Sequence, residues 1–329
     1  MEISALRRLV PLARNPVPNS AVVDVFRGYD GTELRYARWE ATRGPRRGTV
    51  CLFPGRTEFI EKYFETIADL RRRGFAAAIL DWRGQGGSAR PIGDPRKGHI
   101  EDYAEYDRDL ACFMREVVLP DCPPPYTALG HSMGGHIVLR NLTTPGSWFD
   151  RAVLVAPMIR LHPQVLGYSE AIVRAYAGLL RRIGLGRLYV LGGGPEGALK
   201  MAFENNPLTA DRERFGRNLM LETAAPELLL GSPTVAWLDA TLRSIARISA
   251  PEFADRVRVP TLIFTAGRDR VVLPRATEDF AARLKSGTGI RLSQAQHEIL
   301  QERDDIRARF WAAFDAYLGV STEESNRVA

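Results

Sequence analysis

Along the chain, short runs of consecutive apolar residues alternate with stretches whose apolar positions recur at helical spacing. The runs are Thr49 to Phe53, Ala76 to Leu80, Tyr126 to Leu129, Ala152 to Val155 and Thr261 to Thr265. Each has the length of a strand covered on both faces, where no alternation with polar residues is needed because neither face meets water. Between them, Glu61 to Arg73 and Tyr103 to Val118 carry helix-period apolar positions, with Phe64, Ile67 and Leu70 on one side of the first. The rhythm predicts an α/β architecture, a mostly parallel central sheet with helices on both faces. Two earlier segments, Ala21 to Phe26 and Glu33 to Trp39, straddle Tyr29-Asp30-Gly31 and predict an antiparallel hairpin at the sheet's edge.

From about Pro157 to Pro251 the alternation stops, and helical patterns broken by Gly and Pro take over until Thr261 resumes the earlier rhythm. This predicts an inserted helical cap at 157–250, dividing a core made of 1–156 and 251–329. The leading cap helix, Ser169 to Arg182, sets Ile172, Val173, Tyr176, Leu179 and Leu180 near one another, so it is amphipathic. Packing of that face onto the core is the expectation, with a lipid-facing surface as the alternative. The run Leu191-Gly-Gly-Gly-Pro reads as a connector with the freedom to hinge. The polar tail from Ser321 to Ala329 is expected to fray.

Composition narrows the function. The 329 residues are 45% hydrophobic and 26% charged, which is globular. A formal charge of +6 arises from 45 basic against 39 acidic residues, too thin an excess to point to nucleic acid, although it suits contact with anionic lipid headgroups. Cys51, Cys112 and Cys122 are odd in number and form no metal-like spacing, which favours a reducing compartment. The first twenty residues carry no apolar stretch of the secretory type, and no window approaches the roughly 18 apolar residues of a membrane span. The expectation is a cytoplasmic protein, in peripheral contact with the inner face of the membrane where it touches lipid.

The chemistry begins at Gly130-His131-Ser132-Met133-Gly134, a G-x-S-x-G sequence directly after the apolar run ending at Leu129 and before the helical pattern His136 to Leu142. A serine on a sharp strand-to-helix turn is pushed into the open, and small neighbours prevent clashes with adjacent elements. The helix starting there aims N–H groups at a developing oxyanion. A serine hydroxyl needs a base, and the base needs an orienting acid. Of the five histidines, His131 and His136 flank the serine and are expected to point away from its hydroxyl, His99 lies upstream, and His162 opens the cap. His297 follows the segment Gly289 to Leu292 and precedes the last helix, the position for the base in the chain order Ser, acid, His. Asp269, just beyond Thr261 to Thr265, is the acid by the same order, with Asp239 in the cap as rival. Met133 and Arg56 are the expected backbone donors of the oxyanion hole, Gly55 giving the loop after Phe53 freedom to turn.

These stretches resemble bacterial lysophospholipases and the related monoacylglycerol-lipase-like α/β-hydrolases. The resemblance rests on Phe53-Pro-Gly-Arg-Thr-Glu-Phe-Ile-Glu-Lys-Tyr63, Asp81-Trp-Arg-Gly-Gln-Gly-Gly-Ser88, Gly130 to His136, Gly267-Arg-Asp269 and His297-Glu-Ile-Leu300. They spread over about 20 to 315. The segment Gly55 to Tyr63 is the most particular to lysophospholipases. Monoacylglycerol lipases usually carry His-Gly where this chain has Pro54-Gly55, a change that keeps the backbone donors. The Arg56 guanidinium either holds a phosphate or pairs with Glu58 or Glu61 on the surface, and the pairing is the expectation. Trp82 and Arg83 are expected to fix the loop beneath the active site.

The resemblance implies hydrolysis of a carboxylic ester in a single-chain lipid, a lysophospholipid or monoacylglycerol, with no metal and no organic cofactor. Gly55, Ile172, Tyr176 and Leu180 are the expected substrate contacts. A peptidase of the prolyl-aminopeptidase kind, with Glu204 or Glu222 capturing an amino terminus, and a general carboxylesterase are the enzymatic alternatives. A non-catalytic lipid-binding protein on the same fold is the reading from another class.

Overall fold

The computed structural model describes residues 8–42, 46–196 and 202–320. Ser321 to Ala329, expected to fray, lie outside the described residues. Among the described residues eight strands form one sheet: β1 (Val22–Arg27), β2 (Glu33–Trp39), β3 (Thr49–Phe53), β4 (Ala76–Leu80), β5 (Tyr126–His131), β6 (Arg151–Val155), β7 (Thr261–Ala266) and β8 (Gly287–Leu292). Their spatial order is β1-β2-β4-β3-β5-β6-β7-β8. The β1–β2 hairpin runs antiparallel at the edge, β2 is antiparallel to β4, and all other neighbours are parallel. Every residue of β3, β4, β5 and β7 is buried, the reason these strands read as unbroken apolar runs.

The chain passes from β3 to β4 on one side and then returns to place β5 on the other side of β3. Beyond the carboxyl ends of β3 and β5 the strand order reverses, and connections diverge there to leave a crevice. The loop at Pro54 and the turn at Ser132 both open into it.

The helices are α1 (Phe64–Arg72), α2 (Ala104–Phe113), α3 (Leu119–Asp121), α4 (Ser132–Asn141), α5 (Pro163–Leu166), α6 (Glu170–Arg182), α7 (Arg212–Ala224), α8 (Val235–Ser249), α9 (Phe253–Arg256), α10 (Pro274–Arg283) and α11 (Asp304–Leu318). A 3₁₀ turn, Ile60–Tyr63, takes the place of the first turn expected of α1. Helix α4 starts at Ser132, four residues before the apolar pattern suggested. Gly134 and Gly135 are poor helix formers, so the pattern begins late, yet tertiary packing forms the turn.

Helices α5 to α9 occupy the stretch between β6 and β7. Helix α8 is capped by Thr234, whose hydroxyl accepts from Trp237 N–H at 3.2 Å, and it sends Trp237, Ala240, Leu242, Ile245 and Ile248 into the main core. Helix α7 and the turn after it build a smaller cluster, in which Leu221, Ala225, Leu228 and Leu229 pack on Phe59. Helix α6 buries only Val173 and Ala177, while Ile172 is 58% and Leu179 60% exposed. Its apolar face is therefore divided: Val173 joins the core, Tyr176 and Leu180 are half-buried, and Ile172 and Leu179 meet solvent. The glycine run behaves as a connector tied to its neighbours, since Gly193 N–H donates to Val190 O and Gly194 N–H to Ser232 Oγ.

Candidate active site

The site is built on the turn between β5 and α4. Ser132 has φ +49°, a left-handed conformation costly for a residue with a side chain, which persists because the strand and helix fix both sides of it. The packing depends on missing side chains. A Cβ on Gly134 would lie 2.0 Å from Phe53 O, and one on Gly130 would lie 2.7 Å from Gly135 Cα. Glycine at 134 lets the first turn of α4 press on the chain leaving β3, which brings the serine beside the loop at Gly55 and Arg56.

His297 Nε2 lies 2.9 Å from Ser132 Oγ, and His297 Nδ1 lies 2.7 Å from Asp269 Oδ2. Asp269 Oδ1 accepts from Val271 N–H at 2.7 Å and Val272 N–H at 2.9 Å, so both carboxylate oxygens are occupied and the group is fixed. With Asp269 accepting from Nδ1–H, Nε2 is the unprotonated nitrogen facing the hydroxyl. The three residues come from the ends of β5, β7 and β8, far apart in sequence and adjacent in space.

The other acids and histidines sit elsewhere. Asp239 pairs with Arg181 at 3.2 Å and Arg243 at 2.9 Å within the helical segment. His136 is buried between Met158 O and Ser244 Oγ, and burial pushes it down to about 3, so it is neutral. His99 contacts Thr234 Oγ1, and the His162 side chain accepts from Gln164 N–H at the start of α5.

His131 does point away from the serine hydroxyl, but its ring packs against that of His297 with centroids 4.9 Å apart. Its Nδ1 lies 3.0 Å from Glu58 Oε2 and its Nε2 lies 3.2 Å from His297 O. Both nitrogens face acceptors, an arrangement satisfied by the imidazolium. Burial opposes that charge, and Glu58 outweighs it, so the ring is raised above its ordinary value.

Glu58 is the hub of this cluster. Its Oε2 also accepts from Gly55 N–H and, at 2.6 Å, from Tyr63 Oη, and its other oxygen lies 3.6 Å from Lys62 Nζ. Lys62 in turn bonds Glu298 Oε1 at 2.8 Å. The loop after β3 and the loop carrying His297 are thereby tied by one buried chain of charges. Sequence reasoning missed Glu58, Lys62, His131 and Glu298. The available signal was the unusual density of Glu, Lys and Tyr in Glu58 to Tyr63.

The loop after β3 is also held from below. Trp82 Nε1 donates to Pro54 O at 2.9 Å, as expected of Trp82. Gln85 Nε2 donates to Gly55 O at 2.7 Å and to Glu58 O at 3.1 Å. Arg83 does not reach this loop. It pairs with Asp109 of α2 and with Asp30 in the β1–β2 turn, because its buried guanidinium meets carboxylates on that side. The Arg56 side chain likewise departs from expectation. It pairs with neither Glu58 nor Glu61, whose carboxylates are taken by His131, Tyr63 and Arg35, and it donates instead to Gly231 O at 2.5 Å. The Arg56 N–H makes no hydrogen bond among the described residues.

Above the serine lies a cavity of about 570 Å³. Ser132, His297, Gly55, Arg56 and Met133 form its floor; Leu161, Ile172, Val173, Tyr176, Leu230 and Trp237 are among the apolar walls. Leu180 does not line it: one turn beyond Tyr176, it has passed the cavity's edge. Of the two glutamates weighed for a peptidase, Glu222 lines the cavity, while Glu204 is exposed and paired with Arg212 at 2.8 Å. Among the described residues no group of His, Cys, Asp and Glu could hold a metal ion.

An open, mostly parallel sheet with a strained serine at the strand-to-helix turn and an acid and a histidine on later loops defines a serine hydrolase of the α/β-hydrolase fold. The chain belongs to the Hydrolase_4 family, described as serine aminopeptidase, S33, whose pattern matches residues 44–304. It is 33% identical to lysophospholipase L2 of Escherichia coli strain K12 over 86% of this chain and 83% of that protein. It is 28% identical to the probable lysophospholipase L2 of Haemophilus influenzae over 90% and 91% of the respective chains. In fold it is similar to a soluble variant of the monoglyceride lipase of Saccharomyces cerevisiae, with a TM-score of 0.71, 20% identity, and 92% of this chain and 97% of that one covered.

Proposed function

We propose that the protein hydrolyses the carboxylic ester of a single-chain lipid, a lysophospholipid first and a monoacylglycerol second. The observation carrying this is the bonded line Ser132, His297, Asp269 opening into one apolar cavity. The lysophospholipase relatives support the headgroup class.

In this mechanism His297 Nε2 takes the proton from Ser132 Oγ as the oxygen attacks the ester carbonyl. The tetrahedral oxyanion is met by the N–H groups of Met133 and Arg56, and the imidazolium is steadied by Asp269, which stays ionised. His297 then gives the proton to the departing glycerol oxygen, leaving an acyl group on Ser132. Water, deprotonated by His297, attacks the acyl-enzyme and releases the fatty acid. Gly55 lets the oxyanion loop approach, Ile172 and Tyr176 border the acyl passage, and residues 157–250 act as the cap.

We place this activity in the cytoplasm, at the inner face of the membrane. All three cysteines are unpaired, and no helix among the described residues is long and apolar enough to cross a bilayer. Val165, Tyr168, Ile172, Leu179, Ile183 and Leu191 are exposed on the segment bordering the cavity, with Leu191 at 80%, a surface suited to peripheral contact with lipid.

A peptidase reading is favoured by one observation: Glu222 Oε2 is buried in the cavity wall without a hydrogen-bond partner, as an amine-binding carboxylate would be. A panel of lysophospholipids, monoacylglycerols, short nitrophenyl esters and aminoacyl amides separates the two. A single-chain lipid is expected to give the highest kcat/KM, and an aminoacyl amide in first place would install the peptidase reading instead.

A further inference from the structure

Buried arginines in this protein are answered by acceptors. Arg35 meets Glu61 and Asp81, Arg140 meets Asp107, and Arg307 meets Asp69. Arg90 makes no ion pair among the described residues but donates to the carbonyls of Gly84, Gly86, Glu227 and Leu229. Arg56 is different. Its guanidinium has five N–H groups, and among the described residues it makes one hydrogen bond, from Nη2 to Gly231 O. Its Nε is buried without an acceptor. The remaining neighbours are the Trp237 ring, 5.1 Å from the guanidinium carbon, and the phenols of Tyr103 and Tyr106. Burial without a carboxylate brings Arg56 down to about 10, still charged at neutral pH.

A desolvated cation with no counter-ion is costly, and its burial is relieved when an anion arrives. The chain also clears space for this one. Gly98 lacks the Cβ that would stand 2.7 Å from Arg56 Nη2. Arg56 lines the same cavity as Ser132, and its backbone N–H belongs to the proposed oxyanion hole. One residue thus spans from the reacting carbonyl to a point an arginine side chain away. A 1-acyl glycerophospholipid has the same layout, its ester and its phosphate separated by the three-carbon glycerol unit.

We propose that the Arg56 side chain is an anion subsite that takes the phosphodiester of a lysophospholipid and thereby sets the preference for this substrate over a monoacylglycerol. The inference rests on the reading of the protein as a single-chain lipid esterase. Charge-assisted contact to a phosphate oxygen is stronger than contact to a neutral group, and the planar fork suits a phosphate better than a lysine ammonium does.

The test measures kcat/KM for a lysophosphatidylethanolamine and a monoacylglycerol of the same acyl chain, both below micelle-forming concentration, and compares their ratio between the natural protein, Arg56→Met and Arg56→Lys. The ratio is expected to fall about tenfold or more in Arg56→Met, chiefly through KM for the phospholipid, and to fall less in Arg56→Lys. Arg56→Gln reads the same ratio if Arg56→Met does not fold. Glycerol 3-phosphate is expected to compete with substrate in the natural protein and to lose that competition in Arg56→Met. An unchanged ratio overturns the subsite, as does inhibition by inorganic phosphate equal to that by glycerol 3-phosphate, which would mark a site for free phosphate. If the natural protein hydrolyses neither lipid, the esterase reading itself fails; hydrolysis of both with a constant ratio sinks the subsite alone.

Discussion

At the scale of single residues, Ser132, His297 and Asp269 are held so that each depends on the next. A fluorophosphonate is expected to label Ser132, and Ser132→Ala should abolish both labelling and turnover without altering thermal unfolding. Because His297 and Asp269 form one bonded line, His297→Ala combined with Asp269→Asn should be scarcely slower than His297→Ala alone. Additive losses would mean that the two do not act as a unit. Glu58 is a positioning residue, since its Oε2 receives Gly55 N–H and the His131 ring. Glu58→Gln should lower kcat by about tenfold to a hundredfold, less than the loss of an oxyanion donor itself, while KM changes little. A change confined to KM would refute that role.

At the scale of elements, one buried ion cluster joins β2 to the loops that follow β3 and β4. Arg35 bonds Glu61 at 2.8 Å and Asp81 at 2.6 Å, and Asp81 also receives the N–H groups of Ile60 and Gly87. Replacing the cation leaves two buried carboxylates facing each other. Arg35→Met is therefore expected to cost roughly 3–5 kcal/mol in urea unfolding. A loss below about 1 kcal/mol would show that the pair is relieved by protonation or water. The same cluster holds the segment from Ile60 onward, so the loop after β3 is braced from β2, the strand between β1 and β4.

At the scale of the molecule, α7 is clamped to the core by Arg214 and Arg217, which bond Glu65 of α1 at 2.6 and 2.8 Å. Burial alone would raise the Glu65 carboxyl, but hydrogen bonding from Arg214 and the charges of Arg307 and Arg217 bring it from 4.5 down to about 2. A lowered carboxylate contributes stability above its unfolded value, and the contribution drains as pH falls from about 4.5 toward 2. Glu65→Gln should thus lower Tm by a few degrees at pH 7, about 2–4 °C for each kcal/mol, with the gap narrowing below pH 4.5. A gap independent of pH would assign the effect to packing. The cavity above Ser132 makes a second prediction at this scale. Each buried methylene adds at most about 0.8 kcal/mol, so kcat/KM should climb with acyl length until the passage is full, and diacyl lipids should react poorly. A flat dependence from acetyl to long chains would remove the apolar cavity from the mechanism.

The strands, the hairpin and the Ser, Asp, His order were legible in the sequence because they are local or ordinal. A strand buried on both faces must be apolar throughout, and a tight elbow must have small residues beside its serine. Partners across space were not legible. Arg56 is expected from sequence to pair with the nearby Glu58 or Glu61 and reaches Gly231 and Trp237 instead, while Arg83, expected to fix the loop beneath the active site, reaches Asp30 and Asp109. Hydrophobic spacing alone does not say how much of an amphipathic face is covered: on α6 Val173 and Ala177 pack inward as expected, while Ile172 and Leu179 stand exposed. Glu58, Lys62, His131 and Glu298 come together only when the loops after β3, β5 and β8 converge beyond the switch point of the sheet. The sequence by itself determined the main elements and the candidate serine, acid and histidine through period, spacing and order; the tertiary structure decided which charges meet, since a charge's partner is set by distance in space and burial, neither of which the linear order carries.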